Sequence, residues 1–294
     1  MKNTLALGVD IGGSHITAAL IDLNDRMLVA GTIKRKDVNS VQAADVILES
    51  WCGLMNEVLR DIPAQERLVA IAMPGPFDYE NGISLIKDQE KFRNLYLHNV
   101  KAEIATHLNI AEEQISFIND AAGFLQGEIF SGTADGKQDI IGLTLGTGLG
   151  AARSIGGIAT DAALWNTPFK TGIAEDYLST RWFEARYEAL SGKKISGVKP
   201  LNSTAHPDQF AGQIFQEFGE NLAEFLVPLI RKWEPEAVIL GGNIANAYKR
   251  FVPYLEAVLR SHGLHTEVLP AKLKEDASLI GAASCWEMKP KHKL

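Results

Sequence analysis

The chain has little cysteine, no long apolar run and no surplus of basic charge, and each shortage removes a class of function. Only Cys52 and Cys285 occur among 294 residues, too few for a disulfide framework or a cysteine-rich metal site, so packing is the role expected of both thiols. The seven histidines show no ligand spacing. No apolar stretch reaches the roughly 20 residues of a membrane helix, and the opening MKNTLALGVD carries no charged and apolar leader before Asp10. A cytoplasmic protein without a membrane partner is expected. A net charge of -7 speaks against nucleic acid as a partner, since such surfaces concentrate lysine and arginine. Linkers and low-complexity segments are missing too, and the tail KPKHKL reads as a short solvated end.

What is present is an ordinary globular composition, 46% hydrophobic and 22% charged, in a chain long enough for two domains. The organising stretch is Leu5 to Asp22. Leu5 to Val9 is too short for a helix and reads as a buried strand running into Asp10. Gly12 and Gly13 then allow a sharp turn and close approach to an anion, and the alternation from Ile16 to Ile21 suits a second strand. This strand, glycine turn and strand differ from the strand-turn-helix order of Walker and Rossmann loops. The pattern returns where Asp139 to Leu145 meets Gly146-Thr147-Gly148-Leu149-Gly150, and a strand with glycines recurs at Ala237 to Gly242. A Gly-Gly hairpin turn would account for any one of these alone; duplication of one ββ phosphate hairpin points to an actin-like architecture.

Between the loops, Met27 to Ile33 reads as a returning third strand. Apolar residues from Val41 to Leu59 recur at three and four, a helix capped by Asn39 or Ser40. Arg67 to Met73 is a strand closed by Pro74-Gly75-Pro76, and strand ends of this kind carry ligand-binding loops in open α/β sheets. Gln114 to Ile118 runs into Asn119-Asp120 and a helix over Ala121 to Phe130, which puts a carboxylate at a strand-to-helix corner suited to catalysis. Ser154 to His206 is weakly patterned, with a helix over Asp176 to Leu190 and mostly loop from Ser191 to Pro207. Ile214 to Ile230, Phe251 to Leu259 and Ala277 to Trp286 are further helices, the last with Gly281, Ala282 and Ala283 for close packing.

Taken in order, Asp10-Ile11-Gly12-Gly13-Ser14, Pro74-Gly75-Pro76-Phe77-Asp78, Asn119-Asp120, Leu145-Gly146-Thr147-Gly148, Leu240-Gly241-Gly242-Asn243 and Asp276 to Ala283 resemble the landmarks of the ROK family of sugar kinases and sugar-responsive repressors. The resemblance covers nearly the whole chain. It implies an α/β fold of the actin-like ATPase (ribonuclease H-like) kind, two domains around a central cleft that closes on substrate. Residues 1–118 would carry the first phosphate loop, joined by a terminal helix at about 277–294, and 119–276 the catalytic Asp, the second phosphate loop and an adenosine loop. The implied reaction is ATP- and magnesium-dependent phosphorylation of a hexose hydroxyl, with Asp120 as general base. The glucose 6-hydroxyl is the first acceptor, with fructose, an N-acetylhexosamine or another hexose behind it. Asp10 would hold magnesium through water. Gly12, Gly13 and Ser14 on one hairpin and Gly146, Thr147 and Gly148 on the other would face the phosphates, and Gly241 with Gly242 would lie along the adenosine. Gly75, Asn94, Asn119, Asp120 and Glu175 would meet the sugar, although Asn119 also reads as a helix cap, Glu175 as a first-turn acid and Asn94 as a loop polar group. The same resemblance implies a homodimer.

Two departures bear on the substrate. Where many family members carry a cysteine-rich zinc motif, this chain has Thr167-Pro168-Phe169-Lys170-Thr171 before Glu175, so zinc is not expected. The family's Glu-x-Gly-His sugar segment is replaced by Asp161 to Asn166, DAALWN, which removes two hydroxyl partners. A non-catalytic sugar- or ATP-binding protein is therefore the alternative, and the phosphate donor is not separated from others besides ATP. A sugar-responsive transcriptional regulator would need a helix-turn-helix before the first loop, where only Met1 to Thr4 precede the first strand.

Overall fold

The computed structural model describes residues 4–89, 91–203 and 208–288; the basic tail at 289–294 and residues 204–207 of the 191–207 loop lie outside that set. The chain divides into two compact units, Met1–Gly136 with Glu275–Leu294 and Lys137–Lys274.

The first unit is built on the antiparallel hairpin of β1 (Leu5–Ile11) and β2 (His15–Asp22), in register from Leu5↔Asp22 to Ile11↔Ile16. Short β3 (Met27–Leu28) and β4 (Lys34–Asp37) pair with opposite ends of β2. The strand expected over 27–33 is thus split: Gly31 turns the chain with φ +78°, and pairing resumes only at Lys34. There follow α1 (Ala44–Leu59), β5 (Val69–Met73), the small hairpin of β6 (Phe77–Asp78) and β7 (Ile83–Ser84), α2 (Val100–Leu108), β8 (Ile115–Asn119) and α3 (Asp120–Phe130). The sheet order is β3-β2-β1-β5-β8, with β1, β5 and β8 parallel. The cap of α1 is Ala43, not Asn39 or Ser40. Asn39 instead closes a turn ahead of the helix, its carboxamide oxygen accepting from Val41 N at 3.2 Å and its carbonyl from Gln42 N at 3.2 Å.

In the second unit, β9 (Ile140–Leu145) and β10 (Leu149–Ile155) form the corresponding hairpin, extended by β11 (Ile158–Asp161). A two-stranded hairpin, β12 (Pro168–Phe169) and β13 (Gly172–Ile173), leads into α4 (Ala174–Tyr177), α5 (Thr180–Ser191) and α6 (Ala211–Trp233). The helix expected over 176–190 is two helices, because extended Ser179 at φ −127° interrupts it. Then come β14 (Ala237–Gly241), α7 (Tyr248–Ser261) and β15 (Glu267–Pro270), and the sheet order is β11-β10-β9-β14-β15. Its core is aromatic, with Phe183 and Phe218 ring centroids 4.7 Å apart and Phe218 edge-on to Phe251 at 5.1 Å. Finally α8 (Asp276–Met288) returns to the first unit.

Strand parity separates the two faces of the first sheet. Leu7, Val9, Ile11, Val69, Ile71 and Met73 enter one core with Leu48 and Trp51 of α1 and Ile104 of α2. The alternate positions are small, and Ala70 and Ala72 pack against Ala282 of α8. A Cβ on Gly8 would strike the Leu279 carbonyl, one on Gly127 the Ala277 backbone, and one on Gly281 the backbone of Gly123 and Gly127. Helix α8 therefore lies backbone to backbone on β1 and α3. This contact corrects the division expected after residue 118: β8 is hydrogen-bonded to β5, and α3 is locked to α8, so Asp120 belongs in one unit with the Gly12–Gly13 turn.

Candidate functional site

Asp10 stands near the end of β1, opposite Thr17 on β2 and Ala72 on β5. Strand parity puts it on the face that carries Gly8, toward α8. Burial pushes its carboxyl from 3.8 up to about 7, and the Asp120 carboxylate adds to the rise. Arg35 on β4 works the other way, although its own partner Glu275, 3.0 Å off, raises Asp10 further. Asp120 opens α3, with its Oδ1 accepting from Ala121 N at 2.9 Å. Two mutually repelling carboxylates are a setting that a cation relieves. Among the described residues no three His, Cys, Asp or Glu side chains gather into a cage, but magnesium is commonly held by one or two carboxylates with water and phosphate oxygens completing its shell. Asp10 fits that mode.

Asn119 caps α3, its Oδ1 accepting from Ala121 N at 2.9 Å and Ala122 N at 3.1 Å. Its amide donates to Tyr79 Oη, which donates to the Met73 carbonyl, both at 3.1 Å. Tyr79 so ties the end of β5 to the end of β8, beside Gly75, where a Cβ would sit 3.1 Å from its hydroxyl. The sequence reading passed over Tyr79; an aromatic residue four positions after Gly75 was the only signal. Asn94 spends both amide hydrogens on the carbonyls of Val41 and Gln42, at 3.0 and 2.9 Å, which leaves its Oδ1 for a hydroxyl.

The loop glycines have a different reason from the one expected. None of Gly12, Gly13, Gly146 and Gly148 adopts positive φ, so they are not needed to turn the chain. They supply space. The stem of Lys91 lies on Gly13, the Glu175 carboxylate lies on Gly148, and nothing stands within 4 Å of a Cβ on Gly146. The first loop closes through Gly12 N to the His15 carbonyl at 2.9 Å, with Ser14 Oγ 3.1 Å from His15 Nδ1.

In the second unit, Glu175 in α4 accepts from Leu149 N at 3.0 Å with one oxygen and from Arg181 at 2.5 Å with the other. Thr180 donates from its amide at 2.8 Å and its hydroxyl at 2.9 Å to the Gly146 carbonyl. The 146–148 turn is thereby braced from α4 and α5, and Glu175 is part of the brace. Gly241 ends β14 opposite Thr144. Gly242 takes φ +82°, with the Leu145 backbone in the place of a Cβ, so side chains are barred there by packing as well as by conformation. Asp10, Gly12, Gly13, Ser14, Gly75, Asn94, Asn119 and Asp120 thus lie in the first unit, and Gly146, Thr147, Gly148, Glu175, Gly241 and Gly242 in the second.

Comparison with known proteins shows the family. The model of the ROK family matches residues 6–164 and 169–289. A glucokinase from Thermotoga maritima is 27% identical over 97% of this chain and 98% of its own length. An N-acetyl-D-glucosamine kinase from Photobacterium profundum is 23% identical over 94% of this chain and 97% of its own. A crystal structure of a ROK family glucokinase from Streptomyces griseus, in complex with glucose and AMPPNP, is similar with a TM-score of 0.75 at 22% identity, covering 96% of this chain and 98% of that one. The fold is the actin-like α/β one.

Proposed function

Because the chain belongs to the ROK family, we propose that it is a sugar kinase that transfers the terminal phosphoryl group of ATP to a hexose hydroxyl. The observation that carries this reading is the pairing of Asp120, fixed at the first turn of α3, with the raised carboxyl of Asp10. Asp120 takes the proton of the hydroxyl as its oxygen bonds to the terminal phosphorus, and the bond from that phosphorus to the bridging oxygen breaks to leave ADP. Asn119 holds the turn that presents Asp120, and Tyr79 fixes Asn119. Through water, Asp10 would hold magnesium, which when bound neutralises phosphate charge and leaves Asp120 to accept the proton. The loop amides at 12–14 and 146–148 would donate to phosphate oxygens. Glucose at its 6-hydroxyl is the first acceptor, and the glucokinase and N-acetyl-D-glucosamine kinase relatives support a hexose or an amino sugar.

The test is ADP release from magnesium-ATP across a panel of hexoses and amino sugars, with wild type beside Asp120→Asn. Sugar-dependent release should fall by about 10²- to 10⁴-fold in the variant, the range for losing a positioned base. Release that no sugar stimulates, or that the substitution leaves unchanged, would overturn the proposal.

A further inference from the structure

Lys91 lies over the first phosphate loop without a described reason to be there. A Cβ built on Gly13 would come within 2.6 Å of Lys91 Cε and 2.7 Å of its Nζ, so the lysine occupies the space that the glycine leaves open. Gly13 does not adopt positive φ, and the backbone there would accept any residue. Glycine leaves room there, and the room is taken by the outer atoms of an exposed cationic side chain, which a Cβ at Gly13 would push aside.

The segment that carries Lys91 is pinned on both sides. Gln89 Nε2 donates to the Gly75 carbonyl at 3.1 Å. Phe92 is fully buried at φ +57°, edge-on to Trp51 at 5.3 Å, and its amide donates to the Ser40 carbonyl at 2.9 Å. A non-glycine residue in the left-handed region is uncommon and persists where packing holds it. Four other lysines have acceptors, Lys101 the Glu80 carbonyl, Lys137 Glu267, Lys170 Glu224 and Lys194 Glu188; what sets Lys91 apart is its place on the glycine turn. Among the described residues no carboxylate or carbonyl pairs with Lys91. An ammonium that lies on a glycine turn with no internal acceptor is available to an anion that binds there.

We infer that Lys91 is a phosphate-contacting residue, whose ammonium meets the outer phosphates of the nucleotide from the side of Gly13. This rests on the proposed phosphoryl transfer and adds to it a cation that no loop motif announced. An ammonium is a compact point charge with three donors. It would add a cation to the amide donors of the 12–14 loop.

The experiment measures calorimetric affinities for ATP and for AMP, both with magnesium, in wild type, Lys91→Met, Lys91→Arg and Gly13→Ala, together with steady-state kinetics. ATP affinity should weaken by about tenfold in Lys91→Met, the scale of one lost charge-assisted contact, with AMP affinity and the KM for sugar unchanged. Lys91→Arg should recover part of the loss, and Gly13→Ala, which displaces the lysine, should repeat it. Equal ATP affinity in wild type and Lys91→Met would overturn the assignment, as would parallel losses for ATP and AMP, which would mark a structural role. Failure of the kinase reading is distinguishable, because wild type would then show no sugar-dependent turnover for Asp120→Asn to remove.

Discussion

Counting only the strands along each main sheet, in chain order, both read third-second-first-fourth-fifth: β3-β2-β1-β5-β8 in the first unit, where β4 also pairs with β2, and β11-β10-β9-β14-β15 in the second. In each, a hairpin closes on glycines and a parallel strand follows beside it. The carboxylates are not duplicated. Asp10 lies in β1 and Asp120 follows β8 directly, whereas β9 ends on Leu145 and β15 on Pro270. The supports differ as well. The first unit brings α8 against α3 and β1 through glycine, so that backbone meets backbone, while the second fills its core with interlocking phenylalanines. A repeated topology thus supplies two similar frames, and the side chains at the strand ends decide which of them presents carboxylates.

The glycine contacts are where the first unit is easiest to break. Gly281→Val would drive a side chain into the Gly123 carbonyl and Gly127 amide, atoms that cannot move aside as a flexible side chain can. The expected loss is about 3 kcal/mol or more, the upper end for an overpacked core. Thermal unfolding should then split, with the first unit melting ahead of the second. A single transition at the wild-type temperature would show that α3 and α8 do not approach so closely.

The same contrast explains what could be read in the sequence. The hairpins and the Asn119-Asp120 corner were legible because period-two apolar runs and glycines are local signals. The small residues of α8 were legible for the same reason. Lys91 on Gly13 and Glu175 on Gly148 were not, since a long polar side chain reaching a distant glycine leaves no periodicity. Nor was the division after Gly136. A strand that ends in a catalytic-looking Asp says nothing of which sheet it joins, and only the β5–β8 pairing decides that.

Asp10 sharpens the comparison through pH. Its folded pKa, about 7, lies above its ordinary value of 3.8, so the fold favours the protonated acid. The associated stability is complete below about pH 4 and is lost as pH rises through about 7. Asp10→Asn removes this titration. The stability difference between the variant and wild type should change in the variant's favour by about 2–3 kcal/mol between pH 5 and pH 8, an upper bound set by linkage. Urea unfolding without magnesium at both pH values measures it, and a pH-independent difference would mean that Asp10 titrates as an ordinary carboxylate.

The smallest expected effect belongs to the second unit, at the β12–β13 turn. Lys170 Nζ reaches Asn221 Oδ1 at 2.5 Å and Glu224 Oε2 at 3.0 Å on α6, and it lies 5.5 and 5.9 Å from the ring centres of Phe169 and Tyr177. Tyr177 Oη in turn meets Thr171 Oγ1 at 2.7 Å. The turn ahead of Glu175 is thereby fastened to α6 by an ammonium on two rings, close to the break in the family match between residues 164 and 169. The ion pair is partly solvated, so its contribution is discounted for screening. Lys170→Met keeps an apolar side chain over the rings and removes only the charge. The expected cost is about 1 kcal/mol, a fall of about 2–4 °C in Tm, and it should shrink in high salt because screening weakens the wild-type pair. A loss that salt leaves untouched would assign the stabilisation to the stem packed on Phe169 and Tyr177, and the charge would then have no part in holding the turn.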